Sequence, residues 1–266
     1  MDPFYFVSWF VLGTIFGSFL NVLILRYHSG KGVRGRSRCA SCGKGLSWHE
    51  LVPIISFFAL RGNCTSCGSK ISYQYPIVEM ISGVIFVFSF SLSLPILSTI
   101  VLISIFWLFL FISAYDLLHT IVPNEGVYLT AILSLIFSVG LGNAYFLDQI
   151  ISGIALALPF YILWVVSKGM WMGLGDAKVA LSIGFLLGLS DGASAILIAF
   201  WIGAVVALII LFLDWQKRAL LMRSSKLKLS KRARTIKREV PFAPFLALGA
   251  FIVFFFNVNV FNFLLF

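Results

Sequence analysis

The stretch "MGLGDAKVA" (Met172–Ala180) puts an aspartate and a lysine behind two glycines at the mouth of a long apolar run. The rest of the chain keeps charge out of its apolar runs, so the setting decides what Asp176 means. Of the 266 residues 60% are hydrophobic and only 11% charged, with a mean hydropathy of +1.02. Soluble domains do not have this composition. Apolar runs close to the roughly 20 residues needed to cross a bilayer recur along the chain. The pattern predicts an all-α polytopic membrane protein with about eight transmembrane helices, at 4–25, 76–94, 96–115, 122–141, 149–167, 177–190, 194–213 and 241–264. Between them stand turn residues or charge: Pro95, "VPN" at 122–124, "GLGNA" at 140–144 and "LSDG" at 189–192.

Three regions follow: a first helix over 1–25, a loop over 26–75, and helices over 76–266 interrupted by a basic loop at 214–240. All 20 Lys and Arg fall in these two loops or at Lys168 and Lys178. With the N-terminus outside, every one of them lies on the cytoplasmic side, as the positive-inside rule requires, and the outer turns carry only Asp2, Asp148 and Asp191. "MDPFYF" lacks the basic start of a signal peptide, so the first run reads as a retained helix. "GTIFGS" (13–18) gives it small residues four apart, a face for close helix packing. The net charge of +10 sits beside membrane helices, where anionic lipid accounts for it; no nucleic-acid partner is expected.

All four cysteines lie in the first loop, as "CASC" (39–42) and "CTSC" (64–67), each followed by a glycine. Two C-x-x-C pairs can bring Cys39, Cys42, Cys64 and Cys67 to one tetrahedral ion, although their separation slightly exceeds the usual short-ribbon range. Zinc in a closed structural site is the favoured reading. A reducing cytosol disfavours disulfides, while iron takes the same ligands.

In the expected topology Asp116, at the end of the third helix, and Asp176, at the start of the sixth, stand at the same membrane level. Each has a mild explanation alone, as an interfacial residue or a helix-start cap. Together, partly buried carboxylates in a membrane protein point to function. Two adjacent carboxyls in a low-dielectric site share a proton, so one can activate a water while the other polarises a peptide carbonyl. Gly173 and Gly175 free the backbone beside them to approach another chain.

These residues resemble the type IV prepilin leader peptidases, membrane aspartic proteases with a G-x-G-D motif, here Gly173-Leu174-Gly175-Asp176. The resemblance takes in "GSFLNVLILR" (17–26), both cysteine pairs, "LVPIISFFALRGNC" (51–64), "YPIVE" (75–79), "DLLHTIVPN" (116–124), "GLGDAKVALSIGFLLG" (173–188) and "VPFAPFLALGA" (240–250), in order. It implies catalytic roles for Asp116 and Asp176, with Gly173 and Gly175 as the active-site loop, and metal binding by the four cysteines. The chain departs from the family at Asn124, where Pro-Asp is usual, and at Ala243, where glycine is common.

The resemblance further implies a prepilin or pseudopilin substrate, cleaved after a glycine at the cytoplasmic face of the bacterial inner membrane. It also implies N-methylation of the new terminus with S-adenosylmethionine, for which no glycine-rich nucleotide turn is evident in 26–75. Glu50 or Glu79 are expected to meet the basic leader. The competing classes are a transporter, which should carry mid-span charge and repeats, and a non-catalytic scaffold, which should have lost an aspartate.

Overall fold

The computed structural model describes residues 3–27, 35–140, 145–223 and 241–261. The basic stretch 224–240, the turn at 141–144 and His28 lie outside the described residues. The chain folds into helices α1 (Pro3–Arg26), α2 (Ile55–Ala59), α3 (Gln74–Ser91), α4 (Ile96–His119), α5 (Asn124–Gly140), α6 (Phe146–Ser167), α7 (Leu174–Arg223) and α8 (Ala243–Phe256), plus a 3-10 turn at Trp48–Leu51. Among the described residues there is no strand beyond two isolated β-bridges.

Five helices, α1, α3, α4, α6 and α7, are long and apolar enough to cross a bilayer; α5 and α8 are apolar but shorter, at 17 and 14 residues. α7 spans 50 residues, about 75 Å if straight, far more than a bilayer core. It is broken at Gly188, whose φ of 76° and ψ of −171° no helix contains. The turn expected at 189–192 is therefore helical, and the break falls just before it. The basic loop expected from 214 begins later, because α7 runs on to Arg223.

α4 is the central element. Its mean hydropathy of 2.6 is matched by burial all round, with Leu102, Ile105, Phe106, Phe109 and Ile112 sealed off. A helix apolar on every side has no solvated face to present and belongs inside a bundle or in lipid. Phe106 meets Phe251, Phe254 and Phe255 of α8 at centroid distances of 5.0–5.6 Å, within the range of favourable aromatic pairs.

α3 is less apolar, with a mean hydropathy of 1.3, because its small and polar residues face α1. A Cβ at Gly17 would lie 2.6 Å from the Glu79 Cα, so the two backbones touch only because Gly17 has no side chain. Ser82 donates to the Gly13 carbonyl at 2.7 Å, and the Asn21 amide donates to the Gly17 and Tyr75 carbonyls. The expected small-residue face of α1 is thus a contact surface, cemented by interhelical hydrogen bonds in a medium that offers no water.

Between α1 and α3 the loop returns to the bundle. Trp48, Ile55, Phe58 and Tyr73 are exposed, an apolar set suited to the membrane interface. The loop expected over 26–75 contains the 3-10 turn and α2 and exposes this apolar set. Ile54 sits at φ 61° and ψ −54°, with Ile55 N–H bonded to the Pro53 carbonyl at 2.6 Å. For a β-branched residue that is a strained geometry, costing about 1–3 kcal/mol. It is held by the Ile54 N–H, which donates to Glu79 Oε2 at 2.7 Å.

Candidate active site and metal centre

Asp116 ends the buried stretch of α4, and Asp176 is the third residue of α7. Both are buried, at 5% and 7% exposure. α4 stops just beyond Asp116 because Thr120 takes a left-handed conformation and returns its N–H to the Asp116 carbonyl at 2.8 Å. At the start of α7 the Asp176 N–H bonds the Gly173 carbonyl at 3.3 Å. The two carboxyls are thus presented from opposite helix ends, 60 positions apart in sequence.

Three further contacts fix this pairing. The Asp116 carboxyl stands beside the backbone N–H of Ala243, the first residue of α8. A free N–H at a helix start favours a carboxylate in hydrogen bonding and through the helix dipole. Gly175 packs on Val122 so closely that a Cβ there would lie 2.5 Å from the Val122 Cβ. Lys178 donates to Asn124 Oδ1 at 2.6 Å and lies 5.2 Å from the Tyr128 ring centroid. Segments 116–124, 174–178 and 243 therefore form one constellation.

The two glycines are not equivalent. A Cβ at Gly173 meets nothing nearer than Asp176 Oδ2 at 3.8 Å, ordinary contact. Gly175→Ala is expected to cut activity at the site more than tenfold, because overpacking costs about 1–3 kcal/mol and moves Asp176; Gly173→Ala should be milder. Val122→Ala combined with Gly175→Ala should recover part of the loss, and turnover of the three variants at matched abundance checks it.

At Asn124, where the family usually carries Asp, a neutral amide receives Lys178. Asn124→Asp is expected to leave turnover within about twofold and raise stability by at most about 1 kcal/mol, since the pair is solvent-exposed. Thermal melting reads it.

The cysteine loop is built from two copies of one turn. Cys39 N–H bonds the Lys44 carbonyl and Gly43 N–H the Cys39 carbonyl; Cys64 N–H bonds the Ser69 carbonyl and Gly68 N–H the Cys64 carbonyl, all at 2.9–3.0 Å. Gly43 and Gly68 have φ of 73° and 68° with open space around them, so backbone conformation and not crowding requires glycine. The Sγ atoms of Cys39, Cys42, Cys64 and Cys67 lie within 4.8 Å of one another, so the four could hold a metal ion. Zinc–sulfur bonds of about 2.3 Å place tetrahedral sulfurs about 3.8 Å apart, close to the 3.9 Å between Cys39 and Cys67.

Backbone amides of Cys42 and then Ser41 draw the Cys39 thiol down to about 6. At Cys42 the Lys44 amide acts in the same direction, but burial and the neighbouring sulfurs prevail and push it up to about 11. Four thiols so crowded compete for negative charge, which a dication relieves.

Glu50 joins the two turns. It accepts from the Ser47 hydroxyl at 2.6 Å, from Thr65, from the Ser47 N–H at 2.8 Å and from Lys44 at 3.3 Å. These bonds, the Ser47 hydroxyl foremost, hold its carboxyl down to about 2. With its side chain 2% exposed and so occupied, Glu50 does not meet the expectation of a leader contact. Glu79 is likewise buried and bonded to Ile54.

Sequence reasoning passed over the Ala243 amide; a backbone group carries no sequence signal. It treated Gly173 and Gly175 alike and left Asn124 without a partner. His119 is exposed and stacks on Tyr115 at 4.4 Å, as an interfacial residue would.

Residues 11–92 match the Bacterial Peptidase A24 N-terminal domain, and residues 102–208 match the Type IV leader peptidase family. A Myxococcus xanthus protein named prepilin leader peptidase/N-methyltransferase is 34% identical over 217 residues, 79% of this chain and 64% of that protein, just under two thirds of its length. Proteins of the same name from Vibrio cholerae and Bacillus subtilis are 29% and 27% identical, over 70% and 96% of this chain and 79% and 95% of their own. No solved structure matches the chain. The several apolar helices and these relatives indicate a multi-pass bacterial membrane protein.

Proposed function

Because the chain belongs to the type IV leader peptidase family, we propose that it is a membrane aspartic endopeptidase acting on type IV prepilins or pseudopilins. It removes their short basic leader, cleaving after a glycine at the cytoplasmic face of the inner membrane. The observation that carries this reading is that Asp116 and Asp176 are both buried while the segments bearing them pack together, Gly175 on Val122 and Lys178 on Asn124. The two carboxyls share one proton. The ionised carboxylate takes a proton from a water, which attacks the peptide carbonyl, while the protonated carboxyl donates a hydrogen bond to the carbonyl oxygen and then protonates the leaving amine.

The N-terminus is outside and the chain crosses the membrane eight times, the two limbs of α7 counting separately. This orientation rests on the confinement of Lys and Arg to one side. Zinc occupies the cysteine cluster as a structural ion, since four thiolates leave no open position. Methylation of the new terminus is supported by the names of the relatives. Among the described residues no strand leads into a glycine-rich turn, so no residues are assigned to S-adenosylmethionine and no step is derived through it.

Incubating a prepilin with membranes containing the chain tests the reading. The product should lack the leader, begin after the glycine and carry 14 mass units more (about one CH₂) if methylated. An uncut substrate beside an intact cysteine site would favour the scaffold reading.

A further inference from the structure

A cavity of about 590 Å³ lies between α1 and the returning loop, walled by Phe10, Ile15 and Ser18 on one side and Trp48, Pro53 and Ile54 on the other. Its lining is almost wholly apolar, and Ser18 is one of its few polar groups. Directly behind this wall is the carboxylate of Glu79. It accepts a hydrogen bond from one wall residue, the Ile54 N–H at 2.7 Å, and stands beside another, Ser18. Glu79 is 6% exposed, and among the described residues no Lys, Arg or His is paired with it.

The Ser18 hydroxyl has lone pairs to offer a donor inside the cavity, and a cation arriving there favours the ionised form of the carboxylate behind it. Carboxylates inside a membrane are retained where a partner completes them. The cavity therefore asks for an occupant with an apolar body and a cationic donor at one end.

Depth separates the two sources of such a ligand. Ser18 lies about 12 Å along α1 from its Arg26 end, and Glu79 about 8 Å into α3. The ammonium of a lipid head group stays at the surface. Asp116 lies about 5 Å inside the end of α4 and is buried, so an amine released there starts within the helical bundle.

We propose that this cavity is the acceptor site for the α-amino group of an apolar N-terminal residue, the new end that leader removal exposes, with Ser18 as hydrogen-bond acceptor and Glu79 as counter-charge. The assignment rests on the leader-peptidase reading. It names the group that a methyl transfer would need held and leaves the donor unassigned.

The test uses the full chain in nanodiscs lacking phosphatidylethanolamine. The probes are two dye-labelled peptides with a mature prepilin N-terminus starting at phenylalanine, one with a free amine and one acetylated. The free amine should bind at least tenfold more tightly by fluorescence anisotropy, and Ser18→Ala and Glu79→Gln should each reduce that ratio below twofold. Glu79 also pins Ile54, so if Glu79→Gln fails to fold, Ser18→Ala decides alone.

Equal binding of both peptides to the parent, or a ratio preserved in the variants, overturns the site. Displacement of the free-amine peptide by added phosphatidylethanolamine makes a lipid the occupant and overturns it as well. Leader cleavage in the same nanodiscs reads the underlying function separately. A chain that cuts but does not discriminate amines loses only this site, while one that discriminates without cutting loses the peptidase reading.

Discussion

Asp116→Asn and Asp176→Asn are each expected to lower leader cleavage by roughly 10³-fold or more, with the double variant little worse than either single one. Groups that act as a unit in catalysis are grossly non-additive, because losing one removes the function of both. Asparagine preserves size and one acceptor oxygen, so the packing around both buried positions is kept. It can neither accept a proton from water nor share one with its partner. Cleavage of a prepilin at matched enzyme abundance, with melting temperature as a folding control, checks the expectation. Variants that cut like the parent would make these carboxyls structural. A double variant far worse than both singles would assign them independent roles.

Loss of metal from the cysteine loop is expected to have the second largest effect. Isolated zinc-dependent folding units draw about 10–16 kcal/mol from the ion at neutral pH. Here Glu50, with Ser47, Lys44 and Thr65, supplies a secondary clasp between the two turns. The purified chain should contain one zinc. Cys64→Ser removes the most buried of the four ligands and should release the ion, exposing residues 35–73 to protease while the helices keep their dichroism. Elemental analysis and limited proteolysis read both effects. Visible charge-transfer absorbance from iron, or a metal-free chain with a protected loop, would overturn the zinc assignment. Because the loop contributes no carboxyl to the Asp116–Asp176 pair, cleavage should fall less in Cys64→Ser than in either aspartate variant.

Where the deciding signal is local, it was legible in the sequence. Apolar runs predict helices because a backbone in lipid must satisfy its own hydrogen bonds, and only a continuous helix does so within one segment. The boundaries expected for the first five long helices fall close to those observed, and the two C-x-x-C-G repeats form two matching turns because glycine at the fifth position permits φ near 70°. Asp116 and Asp176 stood out because charge at an apolar edge is costly enough to require a reason.

Other features depend on what arrives from elsewhere in the chain. Gly188 breaks α7, although "LSDG" just after it carries the stronger turn signal. There the second limb of α7 is held by packing against α8 and by Asn259, which donates to Asp191 at 2.7 Å and to Ser190 at 2.9 Å. The value of Gly175 comes from Val122 and that of Asn124 from Lys178, while Asp116 stands beside an Ala243 amide that any residue but proline would supply. Glu79 reads in sequence as a polar residue near a helix start, and becomes a buried anchor only when Ile54 folds back onto it.

The sequence by itself thus determined the membrane setting, the metal-binding pattern and the two carboxyls, because hydropathy, spacing and charge are properties of single segments. Only the tertiary structure decided which backbone amide stands beside Asp116, which glycine has no room for a side chain, and where a buried carboxylate stands behind an apolar cavity. Each of those is a distance between segments far apart in the chain, and such distances are set by how the helices pack together.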